Sequence, residues 1–305
     1  MIPIVTLKGG LGNQLFQWFY AHSLNQLRFR LTTHSYKEKR SGPVRDLQVN
    51  QISFGCPHFQ NLGIDEFQTY PRDEIAMRVL ARGWESIYLR KKIERLGYVR
   101  DDSRYDVPST TSYPKEIRFS DGYFQNNAFI DSVWDHVDKE LIPFISSHFQ
   151  KVTMGLSIPD AYVAIHARRS DKIELLKLKA HIGIMSNDYF INAIENIPTT
   201  KSILLIENEE DCGSLIEILK PDIVLDSKST SAWDTLAIMA HAKNLIGSNS
   251  SLSWWGAKLA VKAGNRACLP DSWSQHNNVD IEKLKFPGLD LVSATWFDPQ
   301  SPKYI

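Results

Sequence analysis

The second half of the chain alternates short apolar runs with segments of helical periodicity. The strand-like runs are Tyr162–His166, Ser202–Glu207, Asp222–Leu225, Asn244–Gly247 and Arg266–Leu269. Helical periodicity lies between most of them, at about 187–197, 211–219, 232–243 and 253–263. Because strands that alternate with helices pair in parallel, this half predicts a doubly wound α/β sheet. Ligands of such sheets bind beyond the carboxyl ends of the strands, and functional residues are expected there.

The first half opens with the same kind of unit. Ile2–Leu7 predicts a short buried strand, and apolar residues recur at helical spacing from Asn13 to Phe29. Residues 35 to about 120 are less regular and are interrupted by prolines, and a further helix is predicted at about 131–146.

These two halves predict two domains. A chain of 305 residues is long enough for two units of ordinary size. We predict an N-terminal lobe over 1–152 and a C-terminal lobe over 153–305, joined through a linker at Gln150–Pro159. The expected architecture is α/β, with two Rossmann-like lobes facing a cleft.

Charge and cysteine content exclude several classes of protein. Lys+Arg and Asp+Glu both number 35, and this balance argues against nucleic acid as a partner. Cys56, Cys212 and Cys268 are far apart and form no CxxC pair, which predicts buried thiols rather than disulfides or a zinc site. Met1–Leu7 is too short for a signal segment, and no run reaches the roughly 18 apolar residues of a membrane span. We expect a cytoplasmic protein with at most peripheral contact at the inner face of the membrane.

A glycine-rich segment, Gly9–Gln17, follows the first predicted strand. Glycines allow the backbone to approach a ligand, and the N-terminus of the next helix offers N–H groups to an anion. A dinucleotide-binding fingerprint is one alternative, but Leu15 stands where its third glycine or alanine belongs. A tight turn without a ligand is the other alternative.

The predicted strand that ends at His166 continues into two arginines. Because side chains alternate along a strand, His166 and Arg168 are expected on one face and Arg169 on the other. A guanidinium donates two parallel hydrogen bonds to phosphate oxygens, so Arg168 and His166 predict a diphosphate clamp. Arg169 and Asp171 are each an odd number of residues after His166, so both are expected on the opposite face, where we expect them to pair with each other. A surface ion-pair network is the alternative explanation for both arginines.

The predicted strand Asn244–Gly247 ends in four small polar residues, Ser248 to Ser251, and a helix follows. Hydroxyl and N–H groups that converge at a helix start are suited to binding an anion. Capping accounts for one serine but not for four polar residues in a row. Trp254 and Trp255, in the helix itself, are expected in the core rather than stacked on a ligand.

Taken together, these segments resemble the bacterial and animal α-1,2-fucosyltransferases of glycosyltransferase family 11, within the fucosyltransferases that share an His-x-Arg-Arg-x-Asp motif. The matching segments keep the family's order and are Gly9–Gln17, Gly122–Gln125, His166–Asp171 and Asp234–Ala257. The resemblance implies a two-lobed GT-B fold, GDP-β-L-fucose as donor, inversion at the anomeric carbon and transfer to O2 of a galactose residue. It also implies an oligosaccharide or lipid-linked glycan acceptor, as in O-antigen or surface polysaccharide synthesis.

The resemblance also implies that no metal or cofactor is required. The sequence agrees, because it contains no Asp-x-Asp, the carboxylate pair with which many other glycosyltransferases hold a divalent cation. A related Asp-x-Glu, Asp280-Ile281-Glu282, lies in the C-terminal part of the chain.

Site residues follow from the same resemblance. Arg168, His166 and Asn13 are the expected catalytic residues: Arg168 binds the diphosphate and stabilises the leaving GDP, His166 assists, and Asn13 helps to position donor and acceptor. Asp234 is expected to accept hydrogen bonds from the guanine edge. The remaining expected contacts are the phosphate-binding Ser248, Asn249 and Ser250 and, from the other lobe, Gly10 and Gly12.

Two segments depart from the family pattern. Ser170-Asp171-Lys172 replaces Gly-Asp-Tyr, and Ile206–Glu209 replaces a Phe-Ser-Asp-Asp segment. These departures leave base or ribose recognition and the identity of the sugar open. Another GDP-linked 6-deoxy sugar is therefore an alternative, as is a non-catalytic nucleotide- or glycan-binding relative. A dinucleotide oxidoreductase is opposed by Leu15, and the sequence assigns no general base.

Overall fold

A computed structural model of the protein describes residues 3–24, 29–32, 48, 71–101, 116–169, 183–195, 197–198, 201–275 and 281–297. The chain forms two compact units, Met1–Leu141 and Ile142–Ile305. The predicted boundary after residue 152 falls inside the helix Ile142–Gly155, which also contains the start of the predicted linker Gln150–Pro159. This helix belongs to the second unit because Phe144 packs against Trp233 and Phe149 stacks on His241.

The first unit contains a parallel sheet, with the strand order β2-β1-β4-β3 in the part of the chain that the structure describes. These strands are β1 Ile4–Thr6, β2 Arg30–Thr32, β3 Tyr98–Asp101 and β4 Phe119–Gly122. The helices are α1 Leu11–Ser23, α2 Pro71–Trp84, α3 Arg90–Arg95, α4 Asn127–Ser132 and α5 Trp134–His136, the last followed by a π-helical turn at Val137–Leu141. β1 lies between β2 and β4, so the carboxyl ends of β1 and β4 are neighbours.

The predicted helix at 131–146 is therefore divided between α4, α5, the π-helical turn and the helix Ile142–Gly155. Its apolar periodicity was predicted correctly, since Val133, Val137, Leu141 and Ile145 are all buried. β3 and β4 lie in the region that the sequence left without regular structure.

The second unit contains a six-stranded parallel sheet in the described residues, with the order β10-β9-β8-β5-β6-β7. Its strands are β5 Val163–Ala167, β6 Ser202–Ile206, β7 Ile223–Leu225, β8 Asn244–Gly247, β9 Arg266–Pro270 and β10 Leu289–Val292. Its α-helices are α6 Ile142–Gly155, α7 Asn187–Ile194, α8 Gly213–Leu219, α9 Ala232–His241 and α10 Ser251–Lys262. The predicted α/β, GT-B-like class with a parallel sheet in each half is confirmed. All five strands predicted for this unit are present, and β10 is additional.

Local sequence signals explain where these helices begin and how closely they pack. Ser186 caps α7, and Ser231 forms a reciprocal capping box with Asp234 at the start of α9. At Gly256, an added Cβ would lie 2.7 Å from the Cβ of Met239, so α9 and α10 pack at a distance that only glycine allows.

The order of the second sheet defines a switch point. From β5 the chain moves outward through β6 and β7, and it then returns to form β8 on the opposite side of β5. This is the strand order of a classical dinucleotide-binding fold, in which ligands bind where the order reverses. The carboxyl ends of β5 and β8 are therefore the first place to look for a site.

Candidate active site

His166 is the penultimate residue of β5, and it is buried with its ring orientation fixed. Its Nδ1 atom lies 2.6 Å from the hydroxyl of Ser253 in the first turn of α10. Its carbonyl accepts a hydrogen bond of 3.0 Å from the N–H of Ser248. The side chain is only 5% exposed, so a ligand could meet this imidazole only at its edge.

Arg168 follows β5 and has a more accessible side chain, 23% exposed. Its Nε atom lies 3.8 Å from Oε1 of Glu207, the residue that follows β6. The divergent segment after β6 thus places a carboxylate beside the predicted phosphate ligand. The guanidinium stays at the carboxyl edge of the sheet, next to an anion that a bound diphosphate would have to displace or accommodate.

Arg169 points into the protein and is 4% exposed. Its guanidinium donates to Oδ1 of Asn187 at 2.6 Å and to the carbonyl of Met185 at 3.3 Å, and it lies 5.9 Å from the ring centre of Phe190. The two adjacent arginines therefore have different environments, as the alternation predicts. Asp171, the predicted partner of Arg169, lies outside the described residues.

The turn after β8 connects the two strand ends. The Ser248 hydroxyl accepts from the N–H of Arg168 at 3.4 Å. The Asn249 amide donates to the carbonyls of Gly183 and Trp273 at 3.3 and 3.2 Å, which anchors the turn to two other segments. The side chain of Asn249 is thus committed to holding the turn rather than pointing toward an incoming phosphate.

Ser250 differs from its neighbours in this turn. It is the N-cap residue of α10, with extended backbone angles, but its side chain makes no capping hydrogen bond. Its hydroxyl is buried and has no hydrogen-bond partner within the described part of the chain. A buried hydroxyl without a partner is costly, and its position at a helix N-terminus suits an anion that accepts a hydrogen bond from it.

Trp254 and Trp255, in the same helix, are fully buried. The indole N–H of Trp254 donates to the carbonyl of Leu284 at 2.7 Å. The prediction that these tryptophans are core residues is confirmed.

Asp234 occupies the third position of α9, and hydrogen bonds surround its carboxylate. One oxygen accepts from the N–H and hydroxyl of Ser231, at 2.9 and 2.7 Å, and the other lies 3.1 Å from Nδ1 of His148. Burial opposes ionisation, but the hydrogen bonds from Ser231 and His148 outweigh it and lower the pKa of Asp234. The carboxylate thus already has a structural role, which the Ser231-x-x-Asp234 spacing could have indicated.

A recess of about 460 Å³ lies at the same edge of the sheet, between the loops that follow β6 and β7. Its lining is rich in carboxylates and consists of Asn208, Glu209, Glu210, Asp226, Lys228 and Ser229. The Ser227 hydroxyl donates to the carbonyl of Glu207 at 2.7 Å and ties the two loops together. The segment that departs from the family pattern therefore lines a recess beside Arg168.

In the first unit, the glycine turn and the segment after β4 lie side by side. Gly10 caps α1 with open space around its Cα, and Gly12 is buried in the first turn of that helix. Oδ1 of Asn13 accepts from Nε2 of Gln125 at 2.6 Å, and Nε2 of Gln17 donates to the carbonyl of Gly122 at 2.8 Å. Two of the predicted segments, far apart in sequence, therefore form one cluster at the ends of β1 and β4.

Phe124 in this cluster has a strained backbone. Its φ is +50°, although it is fully buried and stacks on Tyr20 with ring centres 3.8 Å apart. A positive φ at a bulky residue persists only when its surroundings impose it, and such positions concentrate at functional sites.

Lys8 belongs to the same cluster, and the sequence reasoning overlooked it. Its ammonium lies 3.3 Å from Oδ1 of Asp121 and 4.7 Å from the ring centre of Tyr123. Its position immediately before the glycines was the signal that could have identified it.

Among the described residues, no three His, Cys, Asp or Glu side chains are grouped as a metal site would require. Within the same ranges, no helix combines the length and apolar character of a membrane span. Cys212 and Cys268 are buried, as predicted, and burial raises their pKa values to about 11 and about 12. Cys56 lies outside the described residues.

Comparison with known families matches residues 77–282 to the model of Glycosyl transferase family 11. The chain belongs to this family. The predicted family is thereby confirmed, and three of the four segments that suggested it lie inside the matched range. The fourth, Gly9–Gln17, precedes that range.

Two curated Escherichia coli proteins are similar to this chain over nearly their whole length. An alpha-1,2-colitosyltransferase is 22% identical to this chain, and the alignment covers 100% of this chain and 98% of that protein. The O-antigen biosynthesis glycosyltransferase WbnK is 21% identical, and the alignment covers 89% of this chain and 95% of that protein. Among solved structures, the fucosyltransferase NodZ from Bradyrhizobium aligns with a TM-score of 0.42 and 13% identity, over 84% of this chain and 92% of that one.

Proposed function

We propose that this family 11 glycosyltransferase transfers L-fucose from GDP-β-L-fucose to O2 of a galactose residue in a glycan acceptor, with inversion and without a metal ion. The observation that supports this proposal most strongly is the convergence of Arg168, His166 and Ser250 at the switch point between β5 and β8. The partly exposed guanidinium of Arg168, the N-terminus of α10 and the buried hydroxyl of Ser250, which has no partner in the described residues, all belong to the ends of these two adjacent strands.

The diphosphate of the donor binds at this switch point in the proposed reaction. Arg168 donates two hydrogen bonds to phosphate oxygens, and the N-terminus of α10 adds N–H groups and a favourable dipole. The hydroxyl of Ser250, which has no hydrogen-bond partner among the described residues, donates to a phosphate oxygen. Asn249 acts indirectly, because its side chain holds the turn in the required conformation.

His166 completes the diphosphate site through its tautomer. When Nδ1 accepts the hydrogen bond from the Ser253 hydroxyl, the ring proton of the neutral imidazole is on Nε2. Nε2–H is then a donor toward the phosphate, and a positive charge on the ring is not required.

The nucleoside occupies the loops after β6 and β7 in this proposal. In a doubly wound fold, a nucleotide bound at the switch point extends over the neighbouring strand. Guanine carries N–H donors on its pairing edge, and the carboxylates of Glu209, Glu210 and Asp226 in the recess are matching acceptors. Asp234 remains a candidate for the same role, since an ionised carboxylate has about four acceptor sites and three are used here.

Inverting transfer proceeds by one displacement. The acceptor hydroxyl attacks the anomeric carbon from the face opposite the diphosphate, and the bond from that carbon to the β-phosphate oxygen breaks. Negative charge grows on the leaving GDP, and fixed donors that stabilise it lower the barrier. Arg168 and the Ser248–Ser251 turn supply these donors, which is why the proposal requires no cation. The proton of the acceptor hydroxyl passes to solvent, and no side chain is assigned as general base.

Gly10, Gly12 and Asn13 are the proposed ligand contacts of the first unit. Asn13 accepts a hydrogen bond from Gln125, which orients its amide and leaves the NH₂ group to donate to a sugar hydroxyl.

A second candidate donor is another GDP-linked 6-deoxy sugar. One similar protein carries the name alpha-1,2-colitosyltransferase, and Glu207 brings an additional carboxylate next to Arg168.

A donor screen tests both candidates. The purified protein is incubated in EDTA with GDP-fucose, GDP-colitose or UDP-galactose and a panel of β-galactosides, and the products are analysed for linkage by NMR. We expect GDP release and an α-1,2-linked product with GDP-fucose. Transfer from GDP-colitose alone would select the second candidate, and transfer from UDP-galactose alone would contradict the proposed site.

A further inference from the structure

Part of the first unit exposes an unusual amount of apolar surface. The segment from Arg72 to Leu96, called the 72–96 surface below, comprises α2, the following turn and α3. Six of the eight exposed large apolar side chains in the described residues lie in this segment, and they are Ile75 at 61%, Val79 at 63%, Ile87 at 73%, Tyr88 at 89%, Leu89 at 44% and Leu96 at 54%.

This exposure belongs to a folded segment rather than to a frayed one. Met77, Trp84 and Ile93 project inward from the same helices and form a core cluster with Ile4 and Tyr98. α2 therefore has an inner apolar face and a second apolar strip on its outer face, at Ile75 and Val79, one helical turn apart. Tyr88 and its neighbours stand at the tip, in the turn between the helices.

The 72–96 surface is also basic, although the chain as a whole is neutral. Between Arg72 and Leu96 there are seven Lys and Arg residues and four Asp and Glu residues, and the difference of seven and four is +3. Two of the four acids, Asp73 and Glu74, are buried. The exposed cations are Arg72, Arg78, Arg82, Lys91, Lys92 and Arg95.

We propose that the 72–96 surface docks the protein onto an anionic lipid bilayer. Exposed apolar side chains flanked by lysines and arginines match the interfacial region of such a bilayer, where apolar groups enter the acyl boundary and cations meet lipid headgroups. This inference does not rest on the proposed donor or on the diphosphate site.

Charge favours a bilayer over a second copy of the chain. A symmetric dimer would bring the same patch against itself, and its exposed cations would then face each other. An anionic membrane, in contrast, gains attraction from each lysine or arginine near its surface. Docking through this surface would bring the enzyme to lipid-linked molecules while its donor arrives from solution.

Vesicle flotation tests the inference with the full-length protein. We expect wild type to float with phosphatidylcholine vesicles that contain phosphatidylglycerol and not with phosphatidylcholine alone, and to be released by high salt. Lys91→Glu/Lys92→Glu should lower partitioning at least about tenfold, because each lysine contributes several-fold to binding. Ile87→Ser/Tyr88→Ser should lower it as well.

Matched controls carry the same changes on the second unit. Lys243→Glu/Lys283→Glu changes the charge by the same amount as Lys91→Glu/Lys92→Glu. Met154→Ser/Ile218→Ser removes two exposed apolar side chains, as Ile87→Ser/Tyr88→Ser does. Both control variants should partition onto vesicles within about twofold of wild type. Unchanged circular dichroism and an unchanged melting temperature establish that every variant is folded.

Three results would overturn the inference. One is no binding of wild type to anionic vesicles. Another is an equal loss in the charge-matched control. The third is that the protein does not bind vesicles and forms a dimer in solution that Ile87→Ser/Tyr88→Ser dissociates. That result would assign the 72–96 surface to contact with a second copy of the chain.

Discussion

Separate replacement of the adjacent arginines Arg168 and Arg169 by lysine distinguishes transition-state stabilisation from folding. Arg168 is partly exposed, and its ion pair with Glu207 at 3.8 Å is of the kind that contributes about 0–1 kcal/mol. Arg168→Lys should therefore change stability little. It keeps the charge but loses the two parallel hydrogen bonds to the diphosphate. Deletion of one comparable donor costs about 2.7–4 kcal/mol in other enzymes, so we expect turnover to fall at least ~100-fold.

Arg169→Lys should show the opposite pattern. The guanidinium is buried and donates to Asn187 at 2.6 Å and to the carbonyl of Met185 at 3.3 Å, and a lysine ammonium cannot reproduce both bonds with the same planar geometry. Leaving a buried acceptor or charge unsatisfied costs about 1–3 kcal/mol or more. In a unit of this size each kcal/mol lowers Tm by about 2–4 °C, so Tm should fall by several degrees while turnover changes less.

The assay is GDP release at saturating donor, with melting temperatures measured on the same preparations. A large fall in kcat for Arg168→Lys at wild-type Tm, together with a lower Tm for Arg169→Lys, is the expected pair of results. Equal kinetic losses would mean that both guanidiniums reach the donor. A larger kinetic loss for Arg169→Lys would refute the assignment of Arg168.

Three further predictions address the metal, the guanine contact and pH. Turnover of GDP-fucose should survive EDTA, because in the proposed site the diphosphate charge is met by Arg168 and by hydrogen-bond donors of the Ser248–Ser251 turn; loss of activity that manganese or magnesium restores would contradict this. Asp234→Ala should weaken GDP binding and also lower stability by about 1 kcal/mol through loss of the capping box; unchanged GDP affinity with only a lower Tm would assign the residue to capping alone. Burial, with His136 beside it, lowers the pKa of His22 to about 3, whereas the unfolded chain takes up this proton near its ordinary pKa of about 6.5. Between pH 3 and pH 6.5 the unfolded state therefore binds more protons than the folded state. Above pH 6.5, titration of His22 leaves the free energy of unfolding unchanged. As the pH falls from 7 to 5, it lowers the free energy of unfolding by up to about 2 kcal/mol. Denaturant unfolding should show a flatter profile over this range for His22→Gln, and identical slopes for the two proteins would exclude His22 as the source.

Much of the second unit could be predicted because its local signals agree. The strands at Ser202–Ile206 and Asn244–Gly247 are apolar runs bounded by polar residues, and α9, which lies between them, begins at a capping box. β3 and β4 could not be predicted in the same way. Each has four residues without strict alternation of apolar and polar side chains, and they are held by pairing with each other and, for β4, with β1.

The sequence predicted which strand ends carry the site residues, but it did not predict which side chains contact each other there. Alternation separated Arg168 from Arg169, since it depends only on neighbouring residues. The pairing of Arg168 with Glu207 and of Asn13 with Gln125 depends on strand order, which the sequence does not specify. The buried hydroxyl of Ser250 likewise depends on the conformation of the whole turn.

Binding of GDP at the carboxyl ends of β5 and β8 is tested most directly by amide hydrogen exchange, with and without GDP, in a buffer that contains EDTA. We predict slower exchange in peptides that cover His166–Arg169 and Gly247–Trp254, with no change at the opposite edge of the sheet around Lys262–Arg266. Slower exchange elsewhere in the second unit, with no change at either strand end, would contradict the proposed diphosphate site.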